Sequence, residues 1–301
     1  MQAKGGEIRF VNVRGYYPKM AGRYWGFVQA GGWSGGDLSV SLSQTNCELQ
    51  MTPEEKATEE AAFEFARVNR AALAREIADT NIFAPEDYPI TVFMAGSPGA
   101  GKTEISKALV EIIEEGDEEV QVRRVLRIDP DDFRNLIPGY TGSNSFLFQR
   151  AVTKILEKVL DRAFEKRISF ILDGTLANIN VAKRNIDRVL GNRWVAQIMY
   201  VYQRPELAWQ FVRAREITEG RNIPMEEFVR QYLAARRNIV DIRRSYGENL
   251  IVNLLVKNTD GTDGAYEGDV TADQIDDLIP ETYDHLELIE LLTEAEKNEC
   301  S

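Results

Sequence analysis

Over residues 90–257 short apolar runs alternate with stretches of helical periodicity, and no other feature of the chain constrains the fold as strongly. ITVFMAG, VLRID, ISFILDG, VAQIMYVYQ and NLIVNLLVKN read as five buried strands. Between them lie TEISKALVEIIEEG, NSFLFQRAVTKILEKVLDRAFEKR, NVAKRNIDRVLG and two further helical stretches, 205–219 and 224–246. Strands that are apolar along their whole length are covered on both faces, which is the habit of parallel sheets built by crossover helices. The expectation is an α/β fold: a five-stranded, mainly parallel sheet with helices on both faces. Ligands of such sheets bind beyond the carboxyl ends of the strands.

The sequence GSPGAGKT, residues 96–103, stands at the first of those carboxyl ends. It satisfies G-x-x-x-x-G-K-[ST], with a strand before it and a helix after it, and so specifies the P-loop NTPase/kinase version of the α/β fold. Its glycines allow backbone N–H groups to converge on phosphate oxygens with no Cβ in the way. Gly96, Ser97, Pro98, Gly99, Ala100, Gly101, Lys102 and Thr103 are the candidate nucleotide-binding residues. Lys102 reaches the β- and γ-phosphates and the Thr103 hydroxyl is the candidate Mg²⁺ ligand, so ATP and Mg²⁺ are the implied cofactors. The plain alternative is a flexible glycine turn.

The next two strands end in acidic residues. IDPDDFR, residues 128–134, puts three aspartates where a transferred phosphoryl group should sit. One carboxylate there can hold Mg²⁺ through water and another can take the proton of an acceptor hydroxyl. DPDD also reads as a helix N-cap, and the two roles can fall to different aspartates. LDGT brings Asp173 and Thr175 to the same rim, with Thr175 equally readable as a turn residue. After the fourth strand, FVRAREITEGRNIP supplies Arg213, Arg215 and Arg221 on a segment able to close over a nucleotide and neutralise charge on the moving phosphoryl group. Solvated helices carry arginines too, and only the clustering favours a lid.

Acidic residues outnumber basic ones by 48 to 36, a net charge of −12. Such a field repels polyanions, which argues against a dedicated nucleic-acid partner. No apolar run reaches the ~18–20 residues of a membrane span, and MQAKGGEIRF has no signal-peptide core, so a cytoplasmic location is expected. Cys47 and Cys300 have no ligand spacing, and the single histidine, His285, lies in an acidic stretch where a solvated role is expected. Residues 1–51 mix glycine with Tyr and Trp without a steady period and read as a weakly structured arm. Thr52, Pro53 and Glu55 form a capping box that opens a helix over 52–78, leading into a domain spanning 52–260. Residues 261–301 read as an acidic tail with one or two short helices.

The combination of GSPGAGKT, IDPDDFR, EKVLDRAFEKRISFILDGT and AREITEGRNIP resembles the zeta toxin family, P-loop kinases of bacterial toxin–antitoxin systems, over residues 90–258. The resemblance implies ATP-dependent phosphorylation of the 3′-hydroxyl of UDP-N-acetylglucosamine, which starves cell-wall synthesis. It places the catalytic base on Asp131, the phosphate-binding pair on Lys102 and Thr103, and the lid arginines on Arg215 and Arg221. It carries sugar-nucleotide binding over to Glu157, and marks Asp129, Arg134, Asp173 and Thr175 as further substrate-binding candidates. It also implies an antitoxin partner that blocks the nucleotide site, a place the helix over 52–78 could take in cis. The chain departs from the family pattern at its third strand: Asp173 replaces the usual Glu, and Ala177 stands where a basic residue is common. The acceptor is therefore open to another sugar nucleotide. The rival readings are a P-loop kinase of another small metabolite, nucleotide or RNA end, and a nucleotide-hydrolysing switch protein.

Overall fold

The structure, a computed structural model, describes residues 51–115, 124–219, 223–257 and 265–299. The glycine- and aromatic-rich arm, Met51 apart, and Arg221 lie outside the described residues.

Helix α1 (Pro53–Ile77) begins with the capping box read from the sequence: the Thr52 hydroxyl accepts from the Glu55 N–H, and the Glu55 carboxylate accepts from the Thr52 N–H. Its buried face is alanine (Ala62, Ala66, Ala74), which allows close approach to α3, and Arg162 of α3 caps its carboxyl end at the Ala78 carbonyl. Strand β1 (Ile90–Ala95) is buried along its whole length. Then follow α2 (Lys102–Glu115), β2 (Leu126–Ile128), α3 (Gln149–Glu165), β3 (Phe170–Leu172), α4 (Ile179–Gly191), β4 (Val195–Tyr202), α5 (Pro205–Glu219), α6 (Met225–Tyr246) and β5 (Leu250–Val256). The chain finishes with β6 (Ala265–Glu267), α7 (Ala272–Leu278) and α8 (His285–Glu299). The long helix read over 144–167 begins instead as a 3₁₀ turn, Ser145–Phe148, before α3 takes over.

The sheet order is β2-β3-β1-β4-β5-β6. The first five strands are parallel, and β6 adds a sixth, antiparallel strand at the β5 edge through Leu254↔Glu267 and Val256↔Ala265. The expectation of five strands is thus short by one. A three-residue strand of mixed exposure, AYE, carries too little apolar signal to be read as a strand. Residues 265–299 contribute Val270, Ile275, Ile279, Leu288 and Leu292 to the main core, with α7 packed on α6 and α8 against α5 and α6.

Alternation along β1 divides the core in two. Phe93 and Ala95 face α3, α4 and α6, while Ile90, Val92 and Met94 face α2, where Leu109 is the buried anchor. β1 connects outward across β3 to β2, and β3 connects back across β1 to β4. The chain therefore reverses direction around β1, and the crevice beyond the β1 carboxyl end is the topological switch point. Residues 96–103 sit in it.

Candidate active site

The turn after β1 takes a shape that only glycine allows at two places. Gly96 has φ +140° and a Cβ there would lie 2.3 Å from the Val201 carbonyl oxygen. Gly99 has φ +74° and its Cβ would lie 2.0 Å from the Ala208 carbonyl oxygen. Both obstacles are backbone, of β4 and of α5, so neither can move aside. The loop is pressed into the sheet, with Ser97, Pro98 and Ala100 buried, and leads straight into the amino end of α2, where the first backbone N–H groups lack intrahelical partners.

Lys102, half-buried, folds back over this loop and donates from Nζ to the Ser97 carbonyl at 2.6 Å. Burial lowers its pKa to about 8, against the pull of Asp173; Arg215 pushes in the same direction as burial, and Asp131 and Asp129 oppose it. The ammonium therefore lies within electrostatic reach of Asp129, Asp131 and Asp173 at the rim and of Arg215. Five of the residues singled out from separate segments of the sequence converge here.

Among the aspartates the roles divide. Asp129 accepts from the Asp131 N–H (2.9 Å), making the turn that opens a 3₁₀ segment, Asp132–Leu136, whose N-cap residue Asp131 makes no side-chain capping bond. Asp131 is 42% exposed, and its Oδ1 pairs with Nη1 of Arg134. Arg134 is itself buried and braced by Gln149 Oε1 at 3.2 Å. Asp129 closes the turn, and Asp131 is held by Arg134.

One residue that sequence reasoning missed is Arg127. From the middle of β2 its Nη2 reaches Asp129 Oδ2 at 2.5 Å and Asp173 Oδ2 at 2.8 Å, its Nε donates to Ser106 Oγ at 2.8 Å, and Nη1 lies 3.4 Å from Asp132. Burial works against this guanidinium, yet Asp129 and Asp173 outweigh it and raise its pKa. Burial also raises the pKa of Asp129, assisted by the neighbouring Asp173 and Asp131 charges and opposed by the Asp131 N–H and Arg127. The signal in the sequence was one charged residue inside an apolar strand, two positions before an aspartate.

The other candidates are placed as follows. Thr175 accepts from the Ala177 N–H at 3.4 Å, a turn-forming contact. The same loop holds Leu176 at φ +56°, and Asn238 of α6, buried, donates to the carbonyls of Leu176 (3.0 Å) and Ala177 (2.8 Å). Glu157 lies midway along α3 and pairs with Lys154 on its own helix at 3.6 Å. Arg213 is turned towards α8, pairing with Glu216 and lying 3.9 Å from Glu296, whereas Arg215 lies within electrostatic reach of Lys102.

A phosphate chain suits this loop, because its glycines at φ +140°, +74° and +83° turn the backbone as successive N–H groups that converge on an anion require. Mg²⁺ in such sites takes one or two protein oxygens and fills its shell from phosphates and water. Thr103, at the start of α2, and the rim carboxylates supply that donor chemistry. A separate cavity of about 390 Å³ opens between α6 and residues 281–283. Its Arg236 and Arg244 already face Asp276, so its charge is balanced and it is not the phosphate site.

The profile of the zeta toxin family matches residues 74–271. The chain belongs to the zeta toxin family. It is therefore a P-loop, kinase-like protein, and its sheet and loop are those the family resemblance led one to expect. Among solved structures, one from work on the PezAT chromosomal toxin–antitoxin system of Streptococcus pneumoniae is similar at 18% identity. That match covers 83% of this chain and 97% of the other, with a TM-score of 0.51. An AvrRxo1-ORF1:AvrRxo1-ORF2 complex with ATP is similar at 16% identity, over 80% of this chain and 73% of the other, with a TM-score of 0.48. No curated protein matches. Among the described residues no helix is long and apolar enough to cross a membrane.

Proposed function

We propose that this zeta toxin family member transfers the γ-phosphoryl group of ATP to a hydroxyl of a UDP-activated amino sugar, of the UDP-N-acetylglucosamine type, and so acts as a toxin on cell-wall precursor synthesis. The observation that carries the reading is the place of Asp131, just beyond the carboxyl end of β2, 42% exposed, held by Arg134 and within electrostatic reach of the Lys102 ammonium. In this reading residues 96–103 hold the donor phosphates, and Lys102 leaves the Ser97 carbonyl to follow the charge being moved. Asp131, oriented by Arg134, takes the acceptor proton as that oxygen attacks the γ-phosphorus. The bond from phosphorus to the β–γ bridging oxygen breaks and ADP leaves. Arg215, and Arg221 beside it in sequence, neutralise the migrating group. Thr103 would hold Mg²⁺, which would neutralise charge on the phosphates.

Asp129, Arg134, Glu157, Asp173 and Thr175 form the acceptor side of this reading. A cytoplasmic location and an antitoxin that covers the nucleotide loop go with it, the latter in keeping with the toxin–antitoxin system named for one similar structure. One feature favours a different acceptor, such as another small metabolite, a nucleotide or an RNA end. Asp173 is already engaged by Arg127 and Ser106, and Ala177 offers no cation. Incubation with ATP, Mg²⁺ and a panel of UDP-sugars, followed by mass analysis, tests the proposal. A UDP-amino sugar heavier by one phosphate is the expected product; transfer to none of them removes the sugar-nucleotide claim.

A further inference from the structure

Lys257 follows the last residue of β5, and its N–H donates to the Tyr202 carbonyl at 2.9 Å, so the backbone that carries it is fixed to β4. Its side chain runs to the phosphate loop. The Nζ atom lies 2.3 Å from the point a Cβ of residue 101 would occupy, and only because residue 101 is glycine, at φ +83°, can the ammonium rest there. The residue is half-buried, and no ion pair to it exists among the described residues. The nearest negative charge on Gly101 is Glu104 Oε2, 3.2 Å from the same point. Glu104 belongs to the first turn of α2, on the lip of the phosphate cradle, where a carboxylate repels an incoming anion.

We infer that Lys257 is a second ammonium of the phosphate cradle, engaging the phosphate chain of a bound nucleoside di- or triphosphate from the β5 side of the loop. The inference rests on the reading of residues 96–103 as a nucleotide site and adds a residue to it. Lys102 approaches the loop at Ser97 and Lys257 at Gly101, so the two cations stand at opposite ends of the loop. A long, partly desolvated lysine beside converging backbone N–H groups makes charge-assisted bonds with phosphate oxygen at little ordering cost, since its stem is already packed. It also offsets the repulsion from Glu104, which otherwise weakens binding at that lip.

The test compares wild type with Lys257→Met, which keeps the stem and removes the charge, and with Lys257→Arg. Affinities for ATP, ADP and adenosine are measured by competition against a fluorescent ATP analogue at two salt concentrations. Lys257→Met is expected to bind ATP and ADP about tenfold or more weakly, with a shallower salt dependence and adenosine unaffected; Lys257→Arg retains most of the affinity. The double variant Glu104→Gln/Lys257→Met decides between phosphate contact and mere neutralisation of Glu104: persistent loss supports the contact, full recovery overturns it. Wild-type ATP and ADP affinity in Lys257→Met also overturns it while leaving the nucleotide site intact. Failure of wild type to bind either nucleotide removes the site and this residue's role together. Melting curves accompany each variant, and Lys257→Gln replaces Met if the latter unfolds.

Discussion

Arg127 and Asp173 meet at 2.8 Å across the carboxyl ends of β2 and β3, with the Asp173 side chain only 6% exposed. The same guanidinium nitrogen holds Asp129, so one cation ties two rim carboxylates together in a place where burial disfavours charge. Breaking a buried pair by removing one partner leaves the other charge uncompensated. Arg127→Ala is expected to cost about 3 kcal/mol of stability by urea unfolding, with Arg127→Lys intermediate, because a point charge cannot replace the fork that reaches Ser106 as well.

Asp129 also sets a pH dependence. Its folded pKa is raised above the unfolded value, so the folded state holds the proton more firmly. That contribution is fully present below the unfolded pKa of about 3.9 and is lost as pH rises through the folded value. Urea midpoints of wild type and Asp129→Asn, followed upward from pH 4, are expected to diverge: the wild-type curve loses this contribution, and the variant has no such term.

Lys102 makes the opposite case in a different range. With its pKa lowered to about 8, the folded protein sheds this proton as pH rises through about 8, well below the ordinary lysine value of about 10.4. Phosphate binding requires the ammonium. Nucleotide affinity is therefore expected to fall as pH rises through 8, and to stay flat over the same range in Lys102→Arg, whose guanidinium remains charged.

Much of this site can be read from sequence because its parts are local. GSPGAGKT announces its backbone shape through glycine spacing, and the aspartates announce theirs by following apolar strands. Arg127, Asn238 and Lys257 lie 46, 62 and 156 positions from the partners that give them meaning (Asp173, Leu176 and Gly101), and such meetings exist only once the strand order is known. The same holds for β6, whose pairing with β5 rests on backbone bonds to a neighbour and not on its own composition. In residues 265–299 dense Asp and Glu on the outer face conceal an apolar stripe, Ile275, Ile279, Leu288 and Leu292, that the core uses.

Asn238 offers a check on the acceptor side. It holds the carbonyls of a loop in which Leu176 sits in the left-handed region, a conformation costing roughly 1–3 kcal/mol that persists because α6 fixes it. Asn238→Ala is expected to lose about 2 kcal/mol of stability. If this loop orders the acceptor, the variant also raises the acceptor KM several-fold while the ATP affinity is kept.

The central claim is that Asp131 takes a proton from an acceptor hydroxyl while residues 96–103 hold ATP. Transfer of the γ-phosphate to a UDP-sugar, measured side by side for wild type and Asp131→Asn at matched ATP occupancy, addresses it most directly. The account predicts unchanged ATP binding and a loss of at least about 100-fold in transfer for the variant. Phosphotransfer by Asp131→Asn at the wild-type rate would contradict it.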